Sequence, residues 1–433
     1  MPRIDRIYAR EVLDSRGNPT VEVEIETVGL VGRAMVPSGA STGSAEALEL
    51  RDGDPNRYAG RGVRQAVRNV REVIGPAIVG MDACDQQSID RRLIELDGTP
   101  NKSRLGGNAI LGVSLATAVA ASAARHMPLY LHLNELQVAA GTQAIPAPAV
   151  PTPMTNIISG GLHAGGNLDF QDILVMPHNA PDFATGLEWI VRVYREQGRL
   201  LCEAGYEGRL VGDEGGYGPR LKSNREAVEF VVRAIEAAGL RPGHDMVIAI
   251  DVAATHFAHD SESPGSESPG REYRLASERN RVLSADQMID QLEHWVDAFP
   301  IVSIEDGLAE NDWEGWQRLT SRLGSRVQLV GDDLFATNPA RLRRGISLHA
   351  ANSVLIKVNQ IGTLTETFEA ISIARSAGYG FVVSARSGET EDDFLADLAT
   401  ATAAPSIKIG SVVRSERLAK YNRLLRIAEQ LEG

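Results

Sequence analysis

The stretch "IVSIED", residues 301–306, shows the feature that decides the fold, an apolar run that ends in a charged residue, Glu305. Later apolar runs end in the same way, and from Glu305 onward the charged residues recur every 22 to 29 residues. That interval is the length of one strand plus one helix, so it predicts parallel strands in a (β/α) barrel. The runs of this kind end at Asp251, Glu305, Asp332, Lys357, Arg386 and Lys408.

The carboxyl ends of parallel barrel strands all lie at one face, where the active sites of such barrels are found. Six charged side chains at six strand ends are therefore predicted to meet in one pocket. A single charge of this kind could simply end a strand and face solvent. Six of them in register make that alternative improbable.

The part of the chain before these runs has a different pattern. Residues 7–27 alternate like two strands around an Asn-Pro turn, and residues 106–126 have the composition of an Ala-rich helix. Residues 141–153 are rich in proline and small residues, which is typical of a hinge. The sequence therefore predicts an α+β domain over residues 1–140 and a barrel domain over residues 141–433.

The composition excludes several classes of protein. The formal net charge of −13 argues against nucleic acid as the main partner, because phosphate backbones need basic surfaces. Two cysteines, Cys84 and Cys202, provide no disulfide framework and fit a reducing cytoplasm. We expect a cytoplasmic protein with no signal peptide and no membrane span.

Three of the strand ends carry carboxylates, Asp251, Glu305 and Asp332. Like charges so close together are costly unless a cation neutralises them, and Mg²⁺ suits a site built from oxygen ligands. Lys357 follows on the next strand, where a nearby cation and burial would lower its pKa and allow it to act as a general base. Glu214, in the glycine-rich stretch "VGDEGGYGP", is a candidate general acid.

Arg386, Ser387 and Lys408 have the chemistry of a site for a phosphate-type anion. Together with the metal, the base and the acid, this site predicts removal of a proton next to a carboxylate. The substrate is then expected to be a small anion that carries a carboxylate and a phosphate-type group.

At this point the chain resembles the enolase family over nearly its whole length. The motifs that carry the resemblance are "DSRGNPTVEVE", "PSGASTG", "EALELRDGD", "GDEGGYGP", "SIEDGL", "GDDLFATN", "LIKVNQIGTLTET" and "RSGETEDDF". The resemblance implies an α/β fold, with a small N-terminal α+β domain before a (β/α)8-type barrel that begins with two strands and two helices. It also implies a small anionic, phosphorylated hydroxy acid as the substrate, with Mg²⁺-dependent loss of water from 2-phosphoglycerate to give phosphoenolpyruvate, by a homodimer or a higher homo-oligomer.

The resemblance also implies roles for matched positions. Lys357 resembles the base that removes the α-proton, and Glu214 resembles the acid that assists departure of hydroxide. Asp251, Glu305 and Asp332 match the ligands of a first Mg²⁺.

A second Mg²⁺ is implied to arrive with the substrate, and Ser41 matches its ligand. Further matched positions would contact the substrate, and these are His163, Gln171, Arg386, Ser387 and Lys408.

Two substrate-binding positions depart from the family pattern. Ala385 stands where histidine is usual, and Asp172 stands where glutamate is usual. The resemblance places both beside Glu214, so we expect a larger pocket there, with fewer groups that can carry protons. Ser159 is a further departure, in a position where asparagine is usual.

Three interpretations of these departures compete. The first is an ordinary glycolytic enolase with neutral changes. The second is a catalytically dead binding or scaffold protein, which the retained metal ligands, base and anion site disfavour. The third, which we favour, is a paralogue that acts on a bulkier analogue of 2-phosphoglycerate. It would resemble carboxyphosphonoenolpyruvate synthase of phosphonate biosynthesis, whose substrate carries an extra carboxylate on phosphorus.

Overall fold

The computed structural model describes residues 1–39, 43, 45–139, 146–260 and 271–432. The chain begins with an antiparallel sheet of three strands, β1 (Ile4–Leu13), β2 (Pro19–Thr27) and β3 (Leu30–Met35). The predicted turn joins β1 to β2, with Asn18 just before β2 and Pro19 as its first residue. The inward residues of β2, Val21, Val23 and Ile25, are fully buried.

This part of the chain also contains helices, some of which pack against the sheet. They are α1 (Arg64–Arg68), α2 (Gly75–Ile78), α3 (Gln86–Asp97), α4 (Gly107–Ala124) and α5 (Leu129–Ala139), with a π-helical turn, Asn69–Ile74, between α1 and α2. The predicted Ala-rich helix is α4, and it packs directly on β2 and β3. Gly32 permits this approach, because a Cβ atom there would lie 2.2 Å from the backbone nitrogen of Ala120.

Helix α4 is also long and apolar enough to cross a membrane, with a mean hydropathy of 1.5. In this fold, however, 83% of its residues are buried inside the protein. Its apolar surface is therefore accounted for by the packing of the N-terminal part, where the helix forms the centre of the core.

The rest of the chain forms a closed barrel with helices around it. The first barrel strands are β4 (Thr152–Ser159), β5 (Asp172–Pro177) and β6 (Met246–Asp251). A separate small sheet follows, with strands β7 (Ala258–Asp260), β8 (Arg271–Leu275) and β9 (Arg281–Ser284). The remaining barrel strands are β10 (Ile301–Glu305), β11 (Gln328–Gly331), β12 (Ser353–Ile356), β13 (Gly380–Ser384) and β14 (Ser406–Lys408). The helices are α6 (Phe183–Glu203), α7 (Asn224–Ala237), α8 (Ala285–Ala298), α9 (Trp313–Leu323), α10 (Pro339–Leu348), α11 (Val358–Ile361), α12 (Leu364–Ser376), α13 (Phe394–Ala401) and α14 (Ser415–Glu432).

The barrel has the strand order β10-β11-β12-β13-β14-β4-β5-β6 and closes by pairing β6 with β10. All pairs are parallel except β4 with β5 and β5 with β6. Two strands and two helices, β4, β5, α6 and α7, thus precede the regular repeats. The predicted fold, an α+β N-terminal part followed by an eight-stranded barrel, is confirmed.

The barrel interior explains why the charged residues converge. A separate buried cluster consists of Met154, Leu174, Ala249, Val330, Leu355 and Val382, which come from six strands. Alternate residues of a strand point to the same side. Asp251, Asp332 and Lys357 lie two residues beyond Ala249, Val330 and Leu355, so their side chains follow this inner layer and point into the mouth of the barrel, where the strands end.

Candidate active site

Two of the predicted metal ligands converge on one ammonium group. Asp251 and Glu305 are direct neighbours on the paired strands β6 and β10. The Nζ atom of Lys408 lies 2.6 Å from Oδ2 of Asp251 and 2.8 Å from Oε2 of Glu305. All three side chains are buried, so the ammonium group neutralises two carboxylates that are withdrawn from water.

The third predicted ligand, Asp332, turns toward the predicted base. Its Oδ2 atom lies 2.5 Å from Nζ of Lys357. The backbone N–H groups of Asp332 and Asp333 both donate to the carboxylate of Asp306, at 2.9 and 2.8 Å. Asp306 therefore orients the turn that carries Asp332. It directly follows Glu305 in "IVSIED", and the sequence interpretation used only the first of these two acids.

Burial and charge decide the protonation of this group. Burial and the neighbouring Asp251 charge raise the pKa of Glu305 well above its usual value, although Lys408 opposes them. Burial alone would lower the pKa of Lys408, but the charges of Asp251 and Glu305 raise it well above the normal lysine value. Lys408 is therefore a cation here.

Lys357 differs from the expectation. Burial is the largest influence and acts to lower its pKa, as predicted, but the nearby negative charges, Asp332 first and Glu305 after it, together raise the pKa above the ordinary lysine value. The predicted lowering assumed that a cation would be the nearest charge. In this arrangement the nearest charge is an anion, which stabilises the protonated amine.

The residues fit a hard cation such as Mg²⁺. The three predicted ligands provide carboxylate oxygens, and an ammonium group already holds the position between Asp251 and Glu305. Gln171 donates to Asp251 at 3.1 Å, while its own amide oxygen is buried without a hydrogen-bond partner in the described part of the chain. An amide oxygen of this type can coordinate Mg²⁺ or accept a hydrogen bond from one of its bound waters.

The three predicted ligands do not form a compact set in the described residues. Two other groups have ligand atoms that all lie within 4.8 Å of one another. These groups are His163 with Asp172 and Glu214, and Asp306 with Asp332 and Asp333.

The first of these groups surrounds the predicted acid. Nδ1 of His163 lies 3.0 Å from Oδ2 of Asp172, and Nε2 of the same ring lies 3.8 Å from Oε1 of Glu214. The hydroxyl of Ser159 donates to the other oxygen of Asp172 at 2.9 Å, and the amide of Asn156 donates to Glu214 at 2.9 Å. Asp172 lies beside Glu214, as expected, and two departures from the family pattern, Ser159 and Asp172, contact each other directly.

The proton of this group is held by the imidazole. Burial would lower the pKa of His163, but the charges of Asp172 and Glu214 raise it to about 9. Burial raises the pKa of Asp172 to about 6 against the effect of His163. Burial also favours a higher pKa for Glu214, yet the charges of His163 and Arg417 lower it to about 2. Glu214 is therefore ionised next to a protonated His163.

The predicted anion site has partners that the sequence interpretation missed. The guanidinium of Arg386 lies 3.1 Å from a carboxylate oxygen of Glu46 and donates to the amide oxygen of Asn359 at 2.8 Å. The buried guanidinium of Arg417 donates to the backbone carbonyls of Arg386 and Ser387 at 2.8 and 2.9 Å. Glu46 opens the quoted motif "EALELRDGD", so its position in the sequence was visible although its partner was not.

One small polar cavity at the barrel mouth brings most of the predicted residues together. Ala385 lines it and is only 6% exposed. Asp172, Asp251, Glu305 and Asp332 contact the lining residues through the ion pairs described above. Ser41 lies outside the described residues. The cavity is lined by His163, Gln171, Glu214, Lys357, Ser384, Ala385, Arg386, Ser387 and Lys408.

Two protein-family models match the chain. Residues 4–133 match the model described as "Enolase, N-terminal domain". Residues 147–433 match the model described as "Enolase, C-terminal TIM barrel domain". The two matches follow each other in the order expected from the sequence motifs and together cover most of the chain.

The pairing of Lys408 with two acids predicts how cations stabilise the protein. In Lys408→Met, Asp251 and Glu305 lose their buried partner, a change that typically costs about 3–5 kcal/mol. In differential scanning calorimetry, we expect this variant to have a lower melting temperature than the wild type in EDTA. On adding Mg²⁺, its melting temperature should rise by more than that of the wild type. Lys420→Met is the matched control, because Lys420 is also buried but pairs with Glu389. An equal Mg²⁺ response in both variants would contradict this prediction.

The group around Glu214 predicts an unusual histidine titration. Protonated His163 stabilises the fold fully below its unfolded-state pKa of 6.5, and this stabilisation is lost as the pH rises through about 9. We expect ¹H–¹³C NMR of the metal-free protein to show His163 titrating near pH 9. Asp172→Asn should move the midpoint down toward 6.5, because it removes the nearest negative charge. A wild-type midpoint near 6.5 would show that the ion pair does not form.

Proposed function

The chain belongs to the enolase family, whose members are hydro-lyases, and from this premise we propose that it removes water from a bulkier analogue of 2-phosphoglycerate. The proposed reaction resembles that of carboxyphosphonoenolpyruvate synthase and yields an enolpyruvate. The observation that carries the proposal is the methyl group of Ala385 in the wall of the cavity that also contains Glu214 and His163.

Ala385 directly precedes Arg386 and Ser387, to which we assign the phosphorus group of the substrate. A methyl group there leaves space where the family usually has an imidazole ring. A substituent on phosphorus could occupy this space, and a carboxylate substituent would meet the protonated ring of His163. Asp172 holds that ring in place, and Ser159 in turn holds Asp172.

The chain's own residues account for the proton movements of this reaction. Lys357 takes the α-proton, the electrons of the C–H bond form the C=C bond, and the hydroxyl on the neighbouring carbon leaves. The departing hydroxide takes a proton from the group formed by Glu214, His163 and Asp172, and it leaves as water. Lys357 must first lose its own proton, which requires the charge of Asp332 to be neutralised by something else.

Mg²⁺ would supply that neutralisation, and the family is Mg²⁺-dependent in general. We propose that Asp251, Glu305 and Asp332 hold a first ion, and that Ser41 helps to hold a second ion that arrives with the substrate. When bound, Mg²⁺ offsets the negative charge that builds up on the substrate carboxylate as its α-proton is removed.

The second candidate is an ordinary glycolytic enolase that converts 2-phospho-D-glycerate to phosphoenolpyruvate. One observation favours it, because protonated His163 lies 3.8 Å from Glu214 and could take over the proton handling of a missing histidine at position 385. The two candidates differ in the substrate and share the reaction type.

Three further features belong to the same proposal. We place the reaction in the cytoplasm, in line with the free thiols of Cys84 and Cys202. We expect a homodimer or a higher homo-oligomer. We also place the boundary between the two domains near residue 140, at the edge of the segment 140–145, which lies outside the described residues.

The substrate proposal is tested by steady-state kinetics with Mg²⁺ on two acids, 2-phosphoglycerate and its P-carboxylated analogue. We expect kcat/KM for the analogue to be higher by about ten-fold or more, the usual scale for one well-used pocket contact. Lys357→Met should abolish turnover of both acids. Turnover of 2-phosphoglycerate alone would establish the second candidate instead.

The space at position 385 predicts a change of preference. Ala385→His should fill the cavity, raise kcat/KM on 2-phosphoglycerate and lower it on the larger acid, which shifts the ratio by about ten-fold or more. Ala385→Ser adds a single oxygen atom and serves as the small-residue control, which should keep the wild-type preference. If the histidine leaves both values unchanged, the pocket argument is wrong.

A further inference from the structure

Gln360 is a buried residue with an unusual position between the two parts of the chain. It is 1% exposed and lies on α11, the single helical turn that follows Lys357. Its backbone carbonyl accepts a hydrogen bond from the backbone N–H of Ala47 at 2.7 Å. Gln360 therefore connects the turn after the predicted base to the N-terminal part of the chain.

The side chain of Gln360 contacts two carboxylates at once. Its Nε2 atom donates to Oδ1 of Asp332 at 2.9 Å and to Oε1 of Glu46 at 3.3 Å. Its Oε1 atom accepts the hydroxyl of Thr337 at 2.6 Å. Ionised carboxylates only accept hydrogen bonds, so the NH₂ group must face both acids and the oxygen must face the threonine.

Each of these two carboxylates also holds a cation of the site. Asp332 pairs with Lys357, and Glu46 pairs with Arg386. Gln360 thus lies between the acid that we assign to the metal and the carboxylate that lies against the anion-binding guanidinium. A change in the position of either carboxylate alters a hydrogen bond that the same amide group donates.

We propose that Gln360 is a positioning residue that couples cation binding at Asp332 to anion binding at Arg386. This inference rests on the proposed function in that it takes those two residues as the metal and phosphate sites. Glu46 competes with an incoming anion for Arg386, and the hydrogen bond from Gln360 draws Glu46 toward Asp332. A cation that fixes Asp332 therefore also fixes the amide and Glu46, and it tightens anion binding at Arg386 by some factor. By linkage, an anion at Arg386 tightens cation binding by the same factor.

The test measures this factor directly, without turnover. Isothermal titration calorimetry on the full chain gives the affinity for inorganic phosphate with and without Mg²⁺, and the affinity for Mg²⁺ with and without phosphate. We expect Mg²⁺ to tighten phosphate binding in the wild type. In Gln360→Met, which keeps the size of the side chain and removes its hydrogen bonds, this factor should fall by about five-fold or more.

A second variant tests the same contact with a change of charge. Gln360→Glu keeps the oxygen that accepts from Thr337 but places a third carboxylate between Asp332 and Glu46. We expect weaker phosphate binding in this variant, together with Mg²⁺ binding that is unchanged or tighter. The matched control is Gln197→Met, the same substitution at a fully buried position in α6, which should keep the wild-type factor.

Three outcomes would overturn the proposal. These are a wild type in which Mg²⁺ and phosphate bind independently, an equal factor in Gln360→Met and Gln197→Met, and wild-type phosphate binding in Gln360→Glu. The proposed function would be contradicted by a different experiment, because the identity of the acid that is turned over does not enter this measurement. A chain that turns over only 2-phosphoglycerate could still show the predicted loss of coupling.

Discussion

Burial of several carboxylates at one end of a barrel is the constraint on which the rest of this structure depends. A buried carboxylate is costly unless a cation or hydrogen-bond donors accompany it. Here the cations are supplied by other strand ends, since Lys408 pairs with Asp251 and Glu305, and Lys357 pairs with Asp332. The barrel mouth thus holds buried acids in direct contact with buried cations, and any ion or substrate that enters must replace some of these pairs with equally good ones.

The same constraint explains the state of the predicted base. Lys357 is held protonated by its partner, so it can accept a proton only after the charge of Asp332 is compensated from elsewhere. In the proposed mechanism, metal binding and activation of the base are therefore linked through a single carboxylate. This linkage is a property of the arrangement and holds for either candidate substrate.

The departures from the family pattern form a connected group. Ser159 donates to Asp172, Asp172 lies against His163, and the far side of the His163 ring faces Glu214. Taken one by one, the shorter acid and the serine in place of asparagine show no connection in the sequence. Taken together, they form a hydrogen-bonded chain that orients one imidazolium beside the cavity wall formed by Ala385. The expectation of a pocket poorer in proton carriers is therefore offset by a histidine from a different loop.

The sequence by itself determined the barrel and the position of its charged strand ends. An apolar run of strand length that ends in a charge is a local pattern, and its repeat length requires only one strand and one helix. The choice of partner for each charge was decided by the tertiary structure alone. Gln360 and Glu46 lie 314 residues apart along the chain, and no local pattern can show that one amide group faces both Glu46 and Asp332. Protonation likewise depends on burial and on the nearest charges, and these exist only once the strands have closed into a barrel.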